Sequence, residues 1–346
     1  MIQKILRKGY RGENLEKHEI LSLLSVKTRE EIDEILEIAC EIRDERKEYI
    51  SLTSTVHITN VCKVSPKCKY CGFAAGTSPA GYFHPFYKSE EEILKIVKII
   101  DNSGIPRVSC SGAHGYNGNQ AALAARIVKK NSSLDLLINV GSDLQPDSLE
   151  ELSDLGVDTV CCNLETTNST LFKEIKPGEN LEDRIKVCNM VSDSGIELSS
   201  GLLIGLGESY KDRIEHLIFL NSFKGLREIP IMGFNPYKGT PMQDHPPCSL
   251  KDQMLTVAVT RIMYPDIRIT VPTPTIGPEN VKFSLMAGAD NLATIIPDHY
   301  PLDIKGVGSP GYGTLNEVLS VIKEMGLTPA HNPHINSLRQ KIPVIS

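Results

Sequence analysis

Apolar residues recur along this chain with two periods that take turns. Over residues 16–50 the spacing is helical. Ile32, Ile35, Leu36, Ile38, Ala39 and Ile42 fall on one face, and Thr28 with Glu31 makes a capping box. From residue 51 onward, short β-rich runs alternate with amphipathic stretches. The pattern predicts strands over 51–58, 105–112, 134–141, 157–165, 196–205, 227–234, 267–272 and 291–297. It predicts helices over 89–104, 119–131, 146–156, 180–195, 209–223, 249–264, 278–290 and 313–326. Ser89 caps the first of these, Gly104 stops it, and Pro146 opens the third. Repeated strand–helix units imply parallel strands with right-handed crossovers. Eight of them predict a closed α/β barrel of the (β/α)8, or TIM, type, with an open doubly wound sheet as the architectural alternative. No linker or low-complexity stretch interrupts the pattern. The expected organisation is an N-terminal helical extension over 1–50, capping one barrel domain over 51–346. Chemistry in such a barrel sits in the loops that leave the C-terminal ends of the strands.

Composition narrows the function. A net charge of −6 and a pI near 5.9 argue against a nucleic-acid grip, which needs a basic face. No apolar run reaches the roughly 18 residues of a membrane span, and the charged start MIQKILRKGYRGENLEKHEI has no signal-peptide core. The expected location is the cytoplasm. Nine cysteines in a reducing compartment are read as ligands or buried thiols, not disulfides.

Three of them stand together in HITNVCKVSPKCKYCGFAAG, residues 57–76. Cys62, Cys68 and Cys71 follow the first strand and so belong to the barrel mouth. A 4Fe–4S cluster held by four cysteines is an electron carrier. Three thiols leave one iron open for a substrate or cofactor. A zinc site completed by a distant Cys or His is a second reading, and unrelated thiols a third. The spacing leaves all three open. A hydrolase has little support: there is no G-x-S-x-G, and His57 and His84 flank the loop without a nameable partner.

The loop resembles the cluster loop of radical S-adenosylmethionine (SAM) enzymes, usually spaced C-x3-C-x-aromatic-C. Tyr70 keeps the aromatic, but the first gap holds five residues, Lys63 to Lys67. The resemblance implies that Cys62, Cys68 and Cys71 hold one 4Fe–4S cluster and that its open iron chelates the amino and carboxylate groups of SAM. One electron from the cluster would then cleave the S–C5′ bond and give a 5′-deoxyadenosyl radical. The likeness covers nearly the whole chain and points to the branch with biotin synthase and HydE, the radical SAM maturase of FeFe-hydrogenase. NLETTN (163–168) is similar to the strand-four element that touches SAM, with Glu165 and Thr166 in the contact positions. In KPGENLEDR (176–184) the resemblance implies a salt bridge from Arg184 to the SAM carboxylate. GLLIGLGE (201–208) resembles the strand-five glycine element. It places Gly205 and Gly207, with Tyr70, around the adenine. Ser111 and Gly112 stand where the superfamily often has G-G-E for the SAM amino group. The acid is absent, and His114 comes next but one. RIMYPDIRI and LMAGADN resemble the C-terminal region of biotin and thiamin synthases.

Within the branch, biotin synthase holds a second cluster on three cysteines and an arginine. Cys110 and Arg268 match two of those positions, but Leu137 and Ser199 occupy the others, so a second cluster is not expected. Cys161 and Cys162 are neighbours on one strand and cannot both face the pore. The C-x5-C-x2-C gap resembles HmdB, the radical SAM protein associated with the methanogen-type iron hydrogenase Hmd. That likeness implies a role in making its iron-guanylylpyridinol cofactor, with contacts to other cofactor-biosynthesis proteins and an electron donor such as ferredoxin or flavodoxin. Expected substrate contacts are His114, Asn139, Asn163, Arg268 and Thr273 at strand C-terminal ends. With Arg268 the only cation, they suit a small, mainly apolar or aromatic ligand with one anionic group.

Overall fold

The computed structural model describes residues 1–72, 85–112, 114–301 and 312–331. Three helices come first: α1 (Ile2–Tyr10), α2 (Lys17–Leu24) and α3 (Arg29–Arg46). Strand β1 (Ser51–His57) is followed by α4 (Glu90–Ser103), β2 (Arg107–Ser111), α5 (Asn119–Asn131), β3 (Asp135–Asn139), α6 (Pro146–Asp154) and β4 (Thr159–Cys161). Next come α7 (Ser169–Ile175), α8 (Leu181–Ser194), β5 (Glu197–Ser199), β6 (Leu202–Ile204), α9 (Tyr210–Leu220), β7 (Leu226–Gly233) and α10 (Leu250–Met263). The chain continues through β8 (Arg268–Pro272), α11 (Thr273–Ile276), α12 (Val281–Met286), β9 (Asn291–Ala293), β10 (Ile295–Ile296), β11 (Gly313–Thr314) and α13 (Leu315–Glu324).

Strands β1, β2, β3, β4, β5, β7, β8 and β9 pair in that order, all parallel, and β9 returns to β1. The ring is the closed (β/α)8 barrel, with no free edge. One apolar core lies between the ring and its helices. It joins Val108 and Ile138 of the strands to Ile96, Ala125 and Val257 of the helices. The N-terminal helices pack on the outside: all three touch α10, α2 also meets α9, and α3 also meets α12.

Several local expectations need correction. The strand expected over 196–205 breaks into β5 and β6. At Gly201 a Cβ would lie 1.9 Å from the Pro230 carbonyl oxygen of β7. Pro230 also has no N–H to give the ladder, and the β5–β7 register shifts at this point. The helix expected over 278–290 is a 3-10 turn, Pro278–Asn280, followed by the short α12. Helix α7 lies outside the expected helices, and α1, although inside the expected helical extension, precedes the helical spacing read over 16–50. The apolar stripe of α1 is narrow (Ile2, Ile5, Leu6), and its Gly9 lets Ile262 of α10 approach closely.

The lower barrel interior is polar. Arg107 Nη2 on β2 lies 2.7 Å from Glu228 Oε2 on β7 and donates to Thr159 Oγ1 at 2.9 Å. Thr53 donates to Asn291 (3.1 Å), and Asn291 donates to Thr270 (2.9 Å). Arg268 belongs to this floor, not to the mouth. It opens β8, so it lies at the strand's N-terminal end, 3.5 Å from both Glu197 and Glu228. Its expected substrate contact is therefore withdrawn.

Burial opposes ionisation of Glu228, but Arg107 and then Arg268 outweigh it and hold the carboxyl below its usual range. Breaking such a buried pair from one side costs about 3–5 kcal/mol. Glu228→Ala should lower the unfolding free energy by about that much in denaturant titration. Because the folded pKa is depressed, the Glu228 contribution is complete above the unfolded carboxylate range and is lost as pH falls through the folded value. The wild-type minus variant difference should therefore shrink below about pH 4. A difference under about 1 kcal/mol at neutral pH, where single surface changes fall, would contradict this role.

Candidate functional site at the barrel mouth

The cysteine loop leaves β1 at the C-terminal side of the ring and is clamped from two directions. On one side Lys63 N donates to His114 O (2.9 Å) and Tyr116 Oη donates to Val61 O (2.7 Å), while the Lys63 ammonium sits 4.1 Å from the Tyr116 ring. On the other side Lys69 N donates to Ile175 O at the end of α7 (2.8 Å). The turn between α7 and α8 then packs onto the extra residues of the long first gap. A Cβ at Gly178 would lie 2.2 Å from Pro66 O. The wide C-x5-C spacing is thus accommodated by a glycine 110 residues downstream of Cys68.

Beneath the loop lies a cavity of about 310 Å³. Cys62, Cys68 and Cys71 line it together with Tyr70, Glu165, Lys176 and Glu179. The strand ends add a polar row. His57, Ser111 and Asn139 are register partners on β1, β2 and β3, and Ser111 Oγ is 2.7 Å from His57 Nδ1. Asn163 and Met232 close the wall.

Glu165 stands out. Its φ of +65° is left-handed, a conformation that costs a non-glycine residue on the order of 1–3 kcal/mol. It is held there because its backbone bridges to β6: Glu165 N donates to Gly201 O and Leu203 N to Glu165 O. Its Oε1 accepts from Tyr70 Oη at 3.2 Å. Its Oε2 is buried and has no hydrogen-bond partner among the described residues. A buried carboxylate oxygen left unpaired is costly, so this atom is suited to accept from a ligand's N–H or O–H.

Glu179 anchors the charged end. It accepts from Arg184 Nε (2.6 Å) and Nη2 (3.1 Å), lies 3.3 Å from Lys176 Nζ, and sits 3.9 Å from Cys68 Sγ. Burial opposes its ionisation, yet the His114 contact and the two cations hold it far below the usual carboxylate range. Burial pushes the Cys68 thiol up to about 12, with Lys176 pulling the other way.

The cavity brings together most of the expected residues: the three cysteines, Tyr70, Ser111, Gly112, His114, Asn139, Asn163 and Glu165. Six others lie elsewhere. Arg184 is 1% exposed and stands one layer behind the wall, its Nη1 donating to Asn163 O at 2.5 Å. Thr166 is turned into its own loop, where Oγ1 accepts from Asn168 N (3.2 Å). Gly205 and Gly207, both with positive φ, shape a turn whose N–H groups are capped by Glu208. Thr273 is fully buried, donating to Thr294 O and accepting from Gly313 N. Arg268 lies on the floor, as above. Cys110 is buried in the core, with its thiol pushed up to about 12 by burial, and His84 lies outside the described residues. Lys176, Glu179 and His57 were not foreseen as site residues. The first two carried a signal, a lysine and an acid three residues apart just before Arg184.

Residues 56–220 match the Radical SAM superfamily, and residues 230–328 match the Biotin and Thiamin Synthesis associated domain. The chain is 54% identical over 315 residues to an uncharacterized protein of Methanocaldococcus jannaschii, covering 91% of this chain and 84% of that one. It is 31% identical over 242 residues to the biotin synthase of Methylacidiphilum infernorum, covering 66% and 75%. Among solved structures, methylornithine synthase (PylB) superposes with a TM-score of 0.84 at 19% identity, covering 96% of this chain and 99% of that one. The FeFe-hydrogenase maturase HydG of Carboxydothermus hydrogenoformans gives 0.82 at 19%, covering 95% and 79%. Among the described residues no helix is long and apolar enough to cross a membrane. The chain belongs to the radical SAM superfamily, the enzymes that work with a 4Fe–4S cluster and SAM.

Proposed function

We propose that Cys62, Cys68 and Cys71 hold the 4Fe–4S cluster, and that SAM lies beside it against Tyr70 and Glu165. The carrying observation is that three thiols and one unpaired buried carboxylate oxygen share a single cavity at the barrel mouth. The donor set fits the group. Among the described residues no three His, Cys, Asp or Glu side chains converge on a single metal ion. Thiols spread around a cavity suit a polynuclear cluster better than zinc, which gathers its sulfurs about 2.3 Å from one point. When bound, the cluster supplies the electron for reductive cleavage of SAM. The chain's own task is to bind, orient and exclude. Glu165 Oε2 accepts hydrogen bonds from SAM hydroxyl or ammonium groups. The loop, the α7–α8 turn and the closed ring keep water from the reacting atoms.

The proposed physiological role is in making the iron-guanylylpyridinol cofactor of Hmd-type iron hydrogenase. The C-x5-C-x2-C spacing supports it. Leu137 and Ser199, at positions where biotin synthase binds its second cluster, speak against sulfur insertion. The row His57, Ser111 and Asn139 offers hydrogen-bonding groups, as a hydroxylated heterocycle would need.

Replacing Cys62, Cys68 and Cys71 together by alanine should abolish iron uptake on anaerobic reconstitution. About four irons per chain retained in that variant would overturn the ligand assignment. With dithionite, the reconstituted wild type should convert SAM to methionine and 5′-deoxyadenosine, read by chromatography. S-adenosylhomocysteine as the sole product would indicate methyl transfer instead. Deleting the gene should abolish active iron hydrogenase and leave pyridinol precursors visible by mass spectrometry. Normal iron-hydrogenase activity in the deletion strain would refute the physiological role.

A further inference from the structure

One row of the barrel runs on past the cavity wall. The parallel register joins His57, Ser111, Asn139, Cys161 and Ser199, one residue from each of β1 to β5, and Ser199 is paired in turn with Glu228 on the floor. Register partners share a face of the sheet. His57, Ser111 and Asn139 line the cavity, so Cys161 and Ser199 carry that inward face down toward the floor. Cys162 points the other way, into the apolar core between strands and helices, which holds Cys162 and not Cys161. Cys161 lies within electrostatic reach of both Glu165 at the mouth and Glu228 below. Two buried polar atoms at this level, Ser199 Oγ and Arg107 Nη1, have no hydrogen-bond partner among the described residues. Arg107 comes in from β2, and its Nη2 donates to Thr159 Oγ1, two residues before Cys161. The Cys161 thiol lies by Ser199 Oγ but too loosely to satisfy it. Orphaned polar atoms inside the ring are costly, and they mark its interior as a place that receives the polar groups of a ligand. Burial, with Glu228 adding to it, pushes the Cys161 thiol well up, so at neutral pH it stays S–H.

We infer that Cys161 gives the hydrogen atom of its S–H group to a carbon radical formed in the cavity. This rests on the reading that SAM is cleaved there. In the step a C–H bond forms, the S–H bond breaks, and the unpaired electron moves to sulfur. An S–H bond is weaker than an aliphatic C–H bond, so the transfer runs toward the thiyl radical. One electron from the low-potential reductant that serves the cluster, and one proton from solvent, restore the thiol. A thiolate has no hydrogen atom to give, so the burial that keeps the group protonated serves the same step. The ligand that fits is a small molecule with polar groups at the Ser199 end and a carbon centre level with Cys161.

The test needs SAM alone. The cluster-reconstituted chain is equilibrated in deuterium oxide, where the thiol becomes S–D, and SAM cleavage is started with dithionite. Mass spectrometry of the 5′-deoxyadenosine then reports where its new hydrogen came from. The wild type should give product shifted by a single deuterium. Cys161→Ser keeps the shape but offers an O–H bond too strong to give up its hydrogen atom, so its product should lose the label while SAM is still cleaved. Cys161→Ala carries the same test if the serine variant fails to fold, as judged by the thermal midpoint of the metal-free chain. Unlabelled product from the wild type overturns the inference, as does label that persists in both variants. Label that survives in Cys161→Ser and vanishes in Tyr70→Phe would assign the transfer to the phenol and overturn it too. Loss of cleavage itself in both Cys161 variants would also overturn it, since the thiol would then be serving the assembly of the site. Failure of the reconstituted wild type to cleave SAM at all would overturn the underlying placement of SAM, and that result is distinct from the others.

Discussion

A closed ring of parallel strands has an interior that must be filled, and here its lower half is filled by charge. Arg107 and Glu228 meet at 2.7 Å across the barrel, from β2 to β7, with Arg268 and Glu197 extending the group. Two ions taken out of water are costly, and attraction repays the cost only when geometry and hydrogen bonding are good. Thr159, Thr270 and Asn291 provide that bonding, and each comes from a different strand. Slipping one strand by a single residue would turn its partner toward the helices and strand an ion. The floor thus ties the strands to one register, and that register sets which side chains appear at the mouth.

The mouth inherits its layers from this arrangement. His57, Ser111 and Asn139 share one row because β1, β2 and β3 are fixed relative to one another. Above the row, the walls are loops, and loops need their own anchors. The cysteine loop finds them in the His114 segment and in the α7–α8 turn. That turn is short and rich in commitments: Lys176, Gly178 and Glu179 touch, in order, the aromatic beside Cys71, the extra loop residues, and Arg184. A reactive intermediate needs a site from which water and stray donors are excluded. Polar side chains at the strand ends and clamped loops above frame such a site.

Much of this was legible in the chain, for a physical reason. Parallel strands buried on both faces read as short apolar runs, and their crossover helices as 3.6-residue stripes. So all eight strand positions and most helices could be read, and helix α5 falls over the residues expected. The failures lie where tertiary contact overrides local pattern. Residues 196–205 read as one strand because periodicity does not register that Gly201 must pass beneath Pro230. Helix α1 hides behind its charges because its stripe is completed by a glycine, not an apolar side chain. Arg268 is expected at the mouth, among the strand C-terminal ends. Its place as the first residue of β8 puts it at the opposite end, and with it goes the reasoning from one cation to a singly anionic substrate.

The candidate site shows the same division more sharply. Cysteine spacing is covalent information, so the loop was readable. Which charge faces the cavity is not covalent information. It depends on how Glu179 divides itself between two cations, and one buried carboxylate cannot neutralise both. The guanidinium offers a planar fork that matches both carboxylate oxygens, whereas an ammonium offers single donors. Given both neighbours, Glu179 pairs with Arg184 at 2.6 and 3.1 Å and leaves Lys176 at 3.3 Å. The residue named by the motif is therefore the one most firmly satisfied within the protein.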